Sequence, residues 1–408
     1  MDVRQIMGAV LTFSMFVMLG NMIKRDHFDG DVLVDVPVAS NVEQDVFKIT
    51  KHSLIQLTDE TLKEDGHRLK LCWNSSLLPK GTDHLEGFVT FSLTDGPEYH
   101  ISQVANAVLV AKHLGATLVL PEIIGSKGEK RGFDEIYDAE KFMTSMNGLV
   151  HVETRKHPEL KLVSVRVPYN ANQNYILTNI EPLFRTTRYL RVITYFPSFS
   201  MSQGKVDRDM NPYSCWATFE ALHLKPELQE VVDSIVGRLR GHGSKGQFIA
   251  IDYKGEMTGT SACRNDGMKS CYNAMEITQF LQRIGYPKDT TIYVTQSRSD
   301  NGLNALQDVY PNTFTKDDIM QETHKGKLIS TKISELELEL IDFKLCSISD
   351  IFVPARSGLF YANIVANRIA SRKTEVFVPA QITSTLAHDH ISSYISKRSH
   401  PAYACFCP

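Results

Sequence analysis

Three observations predict an α/β protein of two doubly wound domains facing each other across a cleft, behind an N-terminal membrane anchor. Residues 6–23 carry no charge. From about residue 85 onward, short β-branched or aromatic runs alternate with amphipathic helical segments. The alternation occurs twice, in stretches of similar size, separated by a helical segment and a glycine-rich break at 241–246. Such alternation builds parallel sheets covered by helices on both faces.

The 18 residues of 6–23 span about 27 Å as a helix, the thickness of a thin secretory bilayer. The stretch is longer than the apolar core of a signal peptide, and no small-x-small cleavage site closes it. An uncleaved anchor is expected, with residues 1–5 as a cytoplasmic tail. Arg4 and the amino terminus nearly balance Lys24 and Arg25, so charge does not orient it. The single acceptor sequon, Asn74-Ser75-Ser76, makes sense only for a lumenal body, and Asn74 is expected to be glycosylated. Residues 24–67 hold ten acidic and five basic residues without a sustained period and read as a stem.

The first α/β domain is expected over 68–225. Residues 87–93 form a strand, and Thr94-Asp95-Gly96-Pro97 breaks it. A helix follows over 99–114, with Ile101, Val104, Val108, Ala111 and Leu114 at helical spacing. Gly115 ends it, and 116–120 is a short buried strand; together these make one βαβ unit. Further strands are expected at 162–167 and 190–195. The second domain, 226–408, opens with a helix at 226–240. Strands then fall at 247–251, 291–295, 351–354 and 375–378, and helices at 274–284, 303–310, 334–343 and 359–370. The 241–246 break reads as a linker, because a Walker loop opens a helix and here a strand follows.

A charge balance of 44 Lys and Arg against 47 Asp and Glu, net −3, excludes a generic nucleic-acid binder. Seven cysteines are too few for a disulfide-stapled miniprotein. Cys263 and Cys271 bracket a short polar loop that a disulfide could close. Cys405 and Cys407 lie at i, i+2 on what reads as an extended tail and are a poor pair for each other. No metal is expected. Asp29-Gly30-Asp31 sits in the stem, Asp207-Arg208-Asp209 has a cation inside it, and His388-Asp389-His390 lacks further ligands.

Ligands of open α/β sheets bind beyond the carboxyl ends of the strands. After 351–354 come Ala355-Arg356-Ser357-Gly358 and then a helix, an arrangement suited to an anion. Thr295 closes another strand, and a polar run follows it. Asp252, Lys254 and Glu256 alternate after a third. In the first domain Glu98 and His100 lie between strand and helix, and either could take a proton from a hydroxyl. Glu98 is equally suited to sit as an acid at the helix N-terminus.

Six stretches resemble a known family: 1–28, 92–121 (SLTDGPEYHISQVANAVLVAKHLGATLVLP), 269–280 (KSCYNAMEITQF), 290–296 (TTIYVTQ), 352–363 (FVPARSGLFYAN) and 401–407 (PAYACFC). They are similar to the mannan-synthesis-related proteins of plants, a branch of the plant protein-O-fucosyltransferase-like glycosyltransferases. The resemblance implies a GT-B-like fold of two Rossmann-like domains and a type II Golgi membrane protein with a lumenal body. It implies inverting, metal-independent transfer from a GDP-sugar to a glycan or glycoprotein, contributing to mannan synthesis. The alternative is a non-catalytic partner that assists a mannan synthase. No cofactor and no nucleic acid are implied. In the wider family a His-x-Arg grips the donor diphosphate; Asp252-Tyr253-Lys254 replaces it here, departing at both functional positions. The phosphate loop corresponds to Ser357-Gly358 and the guanine-reading acid to Asp342. The acceptor-facing loop corresponds to the run from Gly96 to His100.

Overall fold

The computed structural model describes residues 69–72, 87–94, 96–125, 128–169, 171–196, 211–242, 245–253, 264–265, 268–269, 271–295, 301–319, 333–379 and 384–407. The expected anchor, the stem, Asn74, Lys254 and Cys263 lie outside these residues. Among the described residues no helix is long and apolar enough to cross a membrane. His67–Pro408 form one compact unit that contains two separate parallel sheets.

The first sheet comprises β1 (Phe88–Phe91), β2 (Thr117–Val119), β3 (Val152–Glu153), β4 (Val163–Pro168) and β5 (Tyr189–Tyr195). Their order is β3-β2-β1-β5-β4, all parallel. The chain runs outward from β1 through β2 to β3, then crosses to the far edge at β4 and returns to β5 beside β1, so the order reverses at β1. There the chain leaves the sheet and enters α1 (Pro97–Leu114). Proline at the first helical position costs no hydrogen bond. Gly115, in the left-handed conformation at φ 59°, stops the helix, and its N–H returns to the Ala111 and Lys112 carbonyls.

The second sheet comprises β6 (Phe248–Asp252), β7 (Thr291–Val294), β8 (Thr313–Thr315) and β9 (Ile351–Pro354). Its order, β8-β7-β6-β9, is again all parallel, with the switch point between β6 and β9. Every residue of β6 and β7 is buried, as expected of central parallel strands. Helices α2 (Pro226–His242), α3 (Ala274–Arg283), α4 (Glu335–Ile348) and α5 (Leu359–Ala370) complete this half. Leu228, Val232, Ile235 and Leu239 give α2 one buried face at the predicted helical spacing. Ser334 and Glu337 cap α4 reciprocally, in a capping box.

Three expected elements change. The 375–378 strand reduces to bridges from Val376 to Phe352 and from Phe377 to Ile391. The 303–310 helix becomes a 3-10 turn, Asn301–Leu303, followed by one short helical turn, Asn304–Gln307. The cysteine tail is not extended, because Pro401–Cys405 winds into a 3-10 helix.

That winding sends the two tail cysteines to different partners. Cys405 bonds Cys215 and Cys407 bonds Cys72, across 190 and 335 residues of chain. The C-terminal turn thereby returns to the first half, where Phe406 packs on Phe219 with ring centroids 4.9 Å apart. Cys271 is also disulfide-bonded. Cys346 is a free, buried thiol, and burial pushes its pKa up.

His400 begins the same turn. Its Nδ1 accepts the Ala402 N–H at 3.1 Å, and burial lowers its pKa from 6.5 to about 4. The folded state therefore holds a neutral imidazole while the unfolded state binds a proton below pH 6.5. This contribution to stability is complete above that value and fades as the pH falls toward 4. It amounts to a loss of about 2 kcal/mol by pH 5. Asparagine keeps an N-cap acceptor and does not titrate. Between pH 7 and 5, urea midpoints of His400→Asn should therefore fall less than those of the wild type. Equal pH dependence in the two would show that His400 is not the group responsible.

Candidate active site

The two carboxyl edges are brought together by α1 and α5. Asn363, one turn into α5, donates its Nδ2–H to the Glu98 carbonyl in the first turn of α1 at 2.6 Å. Gly96 and Glu98 stand at the start of α1 and Arg356, Ser357 and Gly358 just before α5, all partly exposed.

Arg356 stands two residues after the end of β9. Its Nε donates to Asp252 Oδ2 at 3.2 Å, and its guanidinium lies 6.0 Å from the Phe360 ring centre. The loop then turns through Ser357 into Gly358, the N-cap residue of α5, at φ 149°. Only glycine adopts that backbone without strain. No side chain caps α5, so its first N–H groups and the positive end of its dipole face this loop. Across the junction, the Glu98 carboxylate folds back over Gly96. A Cβ added to Gly96 would stand 2.3 Å from Glu98 Oε2, so the missing side chain leaves room for the acid.

The other predicted site residues are enclosed. His100 is fully buried, its Nδ1 hydrogen-bonded to the Tyr137 hydroxyl at 2.7 Å, so it faces the interior and not an acceptor. Asp252 is 1 % exposed and holds Arg356 rather than a ligand. Thr295 is 4 % exposed; its hydroxyl accepts the Tyr253 N–H at 3.1 Å and lies 3.2 Å from the Tyr253 carbonyl. It therefore fixes the β6–β7 edge. Asp342 lies in the middle of α4. It accepts the Tyr293 hydroxyl on Oδ1 at 2.5 Å and the Lys316 ammonium on Oδ2 at 3.0 Å. A guanine edge would compete with both donors. Burial and then the Asp342 charge push the Tyr293 pKa well up, so that hydroxyl keeps its proton.

Sequence reasoning missed Tyr293, Lys316 and Asn363. Tyr293 reads as an ordinary strand aromatic. Lys316 follows a strand that was itself missed. Asn363 lies in a recognised stretch but carries no mark of its bond across the junction. Among the described residues no cluster of His, Cys, Asp and Glu suits a metal ion.

A family model for GDP-fucose protein O-fucosyltransferase matches residues 101–370. The chain belongs to this family. The matched span contains Asp252, Asp342 and the Arg356-Ser357-Gly358 loop, and begins just after Glu98 and His100. Among its relatives, Protein MANNAN SYNTHESIS-RELATED 1 of Arabidopsis thaliana is 45% identical over 100% of this chain and 99% of its own. Protein MANNAN SYNTHESIS-RELATED of Trigonella foenum-graecum is 41% identical with the same coverage. A crystal structure of POFUT1 in complex with GDP aligns with 73% of this chain and 100% of its own, at 13% identity and a TM-score of 0.46.

Proposed function

We propose that this family member is a GT-B-like glycosyltransferase. It passes a sugar from a GDP-sugar to a glycan or glycoprotein acceptor, with inversion, and contributes to mannan synthesis. The supporting observation is the Arg356-Ser357-Gly358 loop: a guanidinium beside a helix N-terminus without a side-chain cap, at a sheet switch point, in front of a helix that is bonded to the first turn of α1. The family's name supports the donor class, and the names of the full-length relatives support the pathway.

In this reading the acceptor oxygen attacks the anomeric carbon while the bond to the diphosphate breaks. The electron pair leaves with GDP. Arg356 and the α5 N–H groups meet the charge that develops there, without a metal. Lys254 shares the role. Glu98 takes the acceptor's proton; His100, being enclosed, does not. The disulfides among the described residues require an oxidising compartment, which supports a Golgi lumenal body behind a single N-terminal anchor.

The Asp252–Arg356 ion pair favours a second reading. A carboxylate 3.2 Å from the guanidinium offsets charge that a leaving diphosphate would need. That suits a non-catalytic partner of a mannan synthase.

Thermal unfolding of the full chain with GDP tests the donor site. Saturating GDP, at roughly a hundredfold over Kd, should stabilise by about 2.7 kcal/mol, visible as a raised Tm. No shift with GDP or any GDP-sugar would remove the donor site. A shift without sugar transfer to any offered acceptor would favour the accessory partner.

A further inference from the structure

An aromatic cluster at the carboxyl edge of the first sheet is unused by this reading. Tyr99 is the third residue of α1, Tyr169 follows β4 directly, and Phe196 follows β5 directly. The Phe196 ring stacks on Tyr169 with centroids 5.6 Å apart and an interplanar angle of 19°. Tyr99 meets Phe196 edge-on at 5.0 Å. All three remain partly exposed.

The backbone beneath them is fixed. The Tyr169 N–H donates to the Tyr195 carbonyl at 3.1 Å. Asn106 of α1 donates to the Pro168 carbonyl at 3.2 Å and to Thr194 Oγ1 at 3.1 Å, tying the ends of β4 and β5 to one helix.

We infer that Tyr99, Tyr169 and Phe196 form a platform for a hexopyranose unit of an oligosaccharide acceptor. The inference rests on the transferase reading and names its acceptor class. An aromatic face is electron-rich, and it attracts weakly positive hydrogens. A β-linked mannopyranose presents H1, H3 and H5 together on one face, an apolar patch of about one ring's area. Glu98 is one residue before Tyr99, so the cluster and the proposed base are carried by the same first turn of α1. An extended polypeptide has no such flat C–H face, so the cluster favours sugar over peptide.

The test uses the full-length protein and β-1,4-mannohexaose, with a hydroxyl-bearing peptide as contrast, in titrations with and without GDP. Tyr169→Ala and Phe196→Ala should each weaken mannohexaose binding roughly tenfold. Tyr169→Phe and Phe196→Tyr should stay near wild type, and all four should keep the wild-type response to GDP. Saturation-transfer NMR on the unmodified protein gives a second readout. Irradiating aromatic protons should reach sugar H1, H3 and H5 more strongly than H2. Wild-type mannohexaose affinity in both alanine variants overturns the platform, as does transfer without preference among the ring protons or binding of the peptide alone. Failure of GDP to bind wild type overturns the donor site and leaves the mannohexaose result to stand by itself.

Discussion

Replacing Arg356 by alanine is expected to lower sugar transfer by about 10²–10³-fold, the usual cost of removing one preorganised partner of developing charge. The guanidinium is well placed for the task because two features fix it. Asp252 holds its Nε edge, and the β9–α5 turn behind it passes through a glycine whose φ of 149° other residues adopt only with strain. Arg356→Lys keeps the charge but loses the planar fork and the oriented bond to Asp252, so it should recover only part of the rate. Transfer should fall further when Lys254 is removed as well. The effect should appear mainly in kcat, because the charge on the leaving diphosphate is greatest in the transition state. Measured turnover of Arg356→Ala equal to wild type would remove Arg356 from the chemistry and favour the accessory-partner reading.

Much of the fold was legible because parallel strands and their helices leave strong local marks. The buried runs of β6, β7 and β9 are apolar and bounded by turn residues, and α2 repeats its apolar residues every three or four positions. What escaped detection was short or polar. β8 is Thr-Phe-Thr, yet Thr313 and Thr315 are buried, with their hydroxyls spent on the Tyr310 carbonyl and Asp318. The paired sheets left the site half legible. Residues on turns between strand and helix, such as Glu98 and Arg356, were found in open positions. Residues whose exposure depends on distant chain were not. His100 was singled out because it lies between a strand and a helix, where ligands of open sheets bind, and can take a proton. α1 instead lies between the first sheet and helices α4 and α5, and even Gln103 and Asn106 are buried. Asp342 likewise carries no local sign that Tyr293, 49 residues away, and Lys316, 26 residues away, close over it.

Arg368→Met is expected to destabilise the protein by about 3 kcal/mol, since hydrogen bonds to a charged group each contribute about 1.5–3 kcal/mol and several are lost together. Arg368 is 0 % exposed in α5. Its Nη1 donates to the Cys346 carbonyl at 3.3 Å and to the Ser349 carbonyl and Oγ at 2.8 and 3.0 Å. Its Nη2 donates to the Asp350 and Glu375 carbonyls, each at 3.0 Å. These acceptors are the C-terminal end of α4, the turn into β9 and the segment beside β9. One side chain therefore satisfies carbonyls that a helix end leaves unpaired, and its charge meets the negative end of the α4 dipole. Burial lowers its pKa from 12.5 to about 10, so it remains charged at neutral pH. Methionine fills the volume but removes all five donated bonds, and the carbonyls of Cys346, Ser349 and Glu375 then keep only the donors Ser349 Oγ, Lys373 Nζ and Phe352 N–H. Lysine offers three donors from a single nitrogen and should restore only part of the loss. The measurement is the urea midpoint and slope for wild type, Arg368→Lys and Arg368→Met. A Met variant within about 1 kcal/mol of wild type, with unchanged slope, would show that these carbonyls find other partners. The same variant should also weaken GDP binding, because the turn that Arg368 holds leads straight into β9, and β9 leads through Ala355 to Arg356.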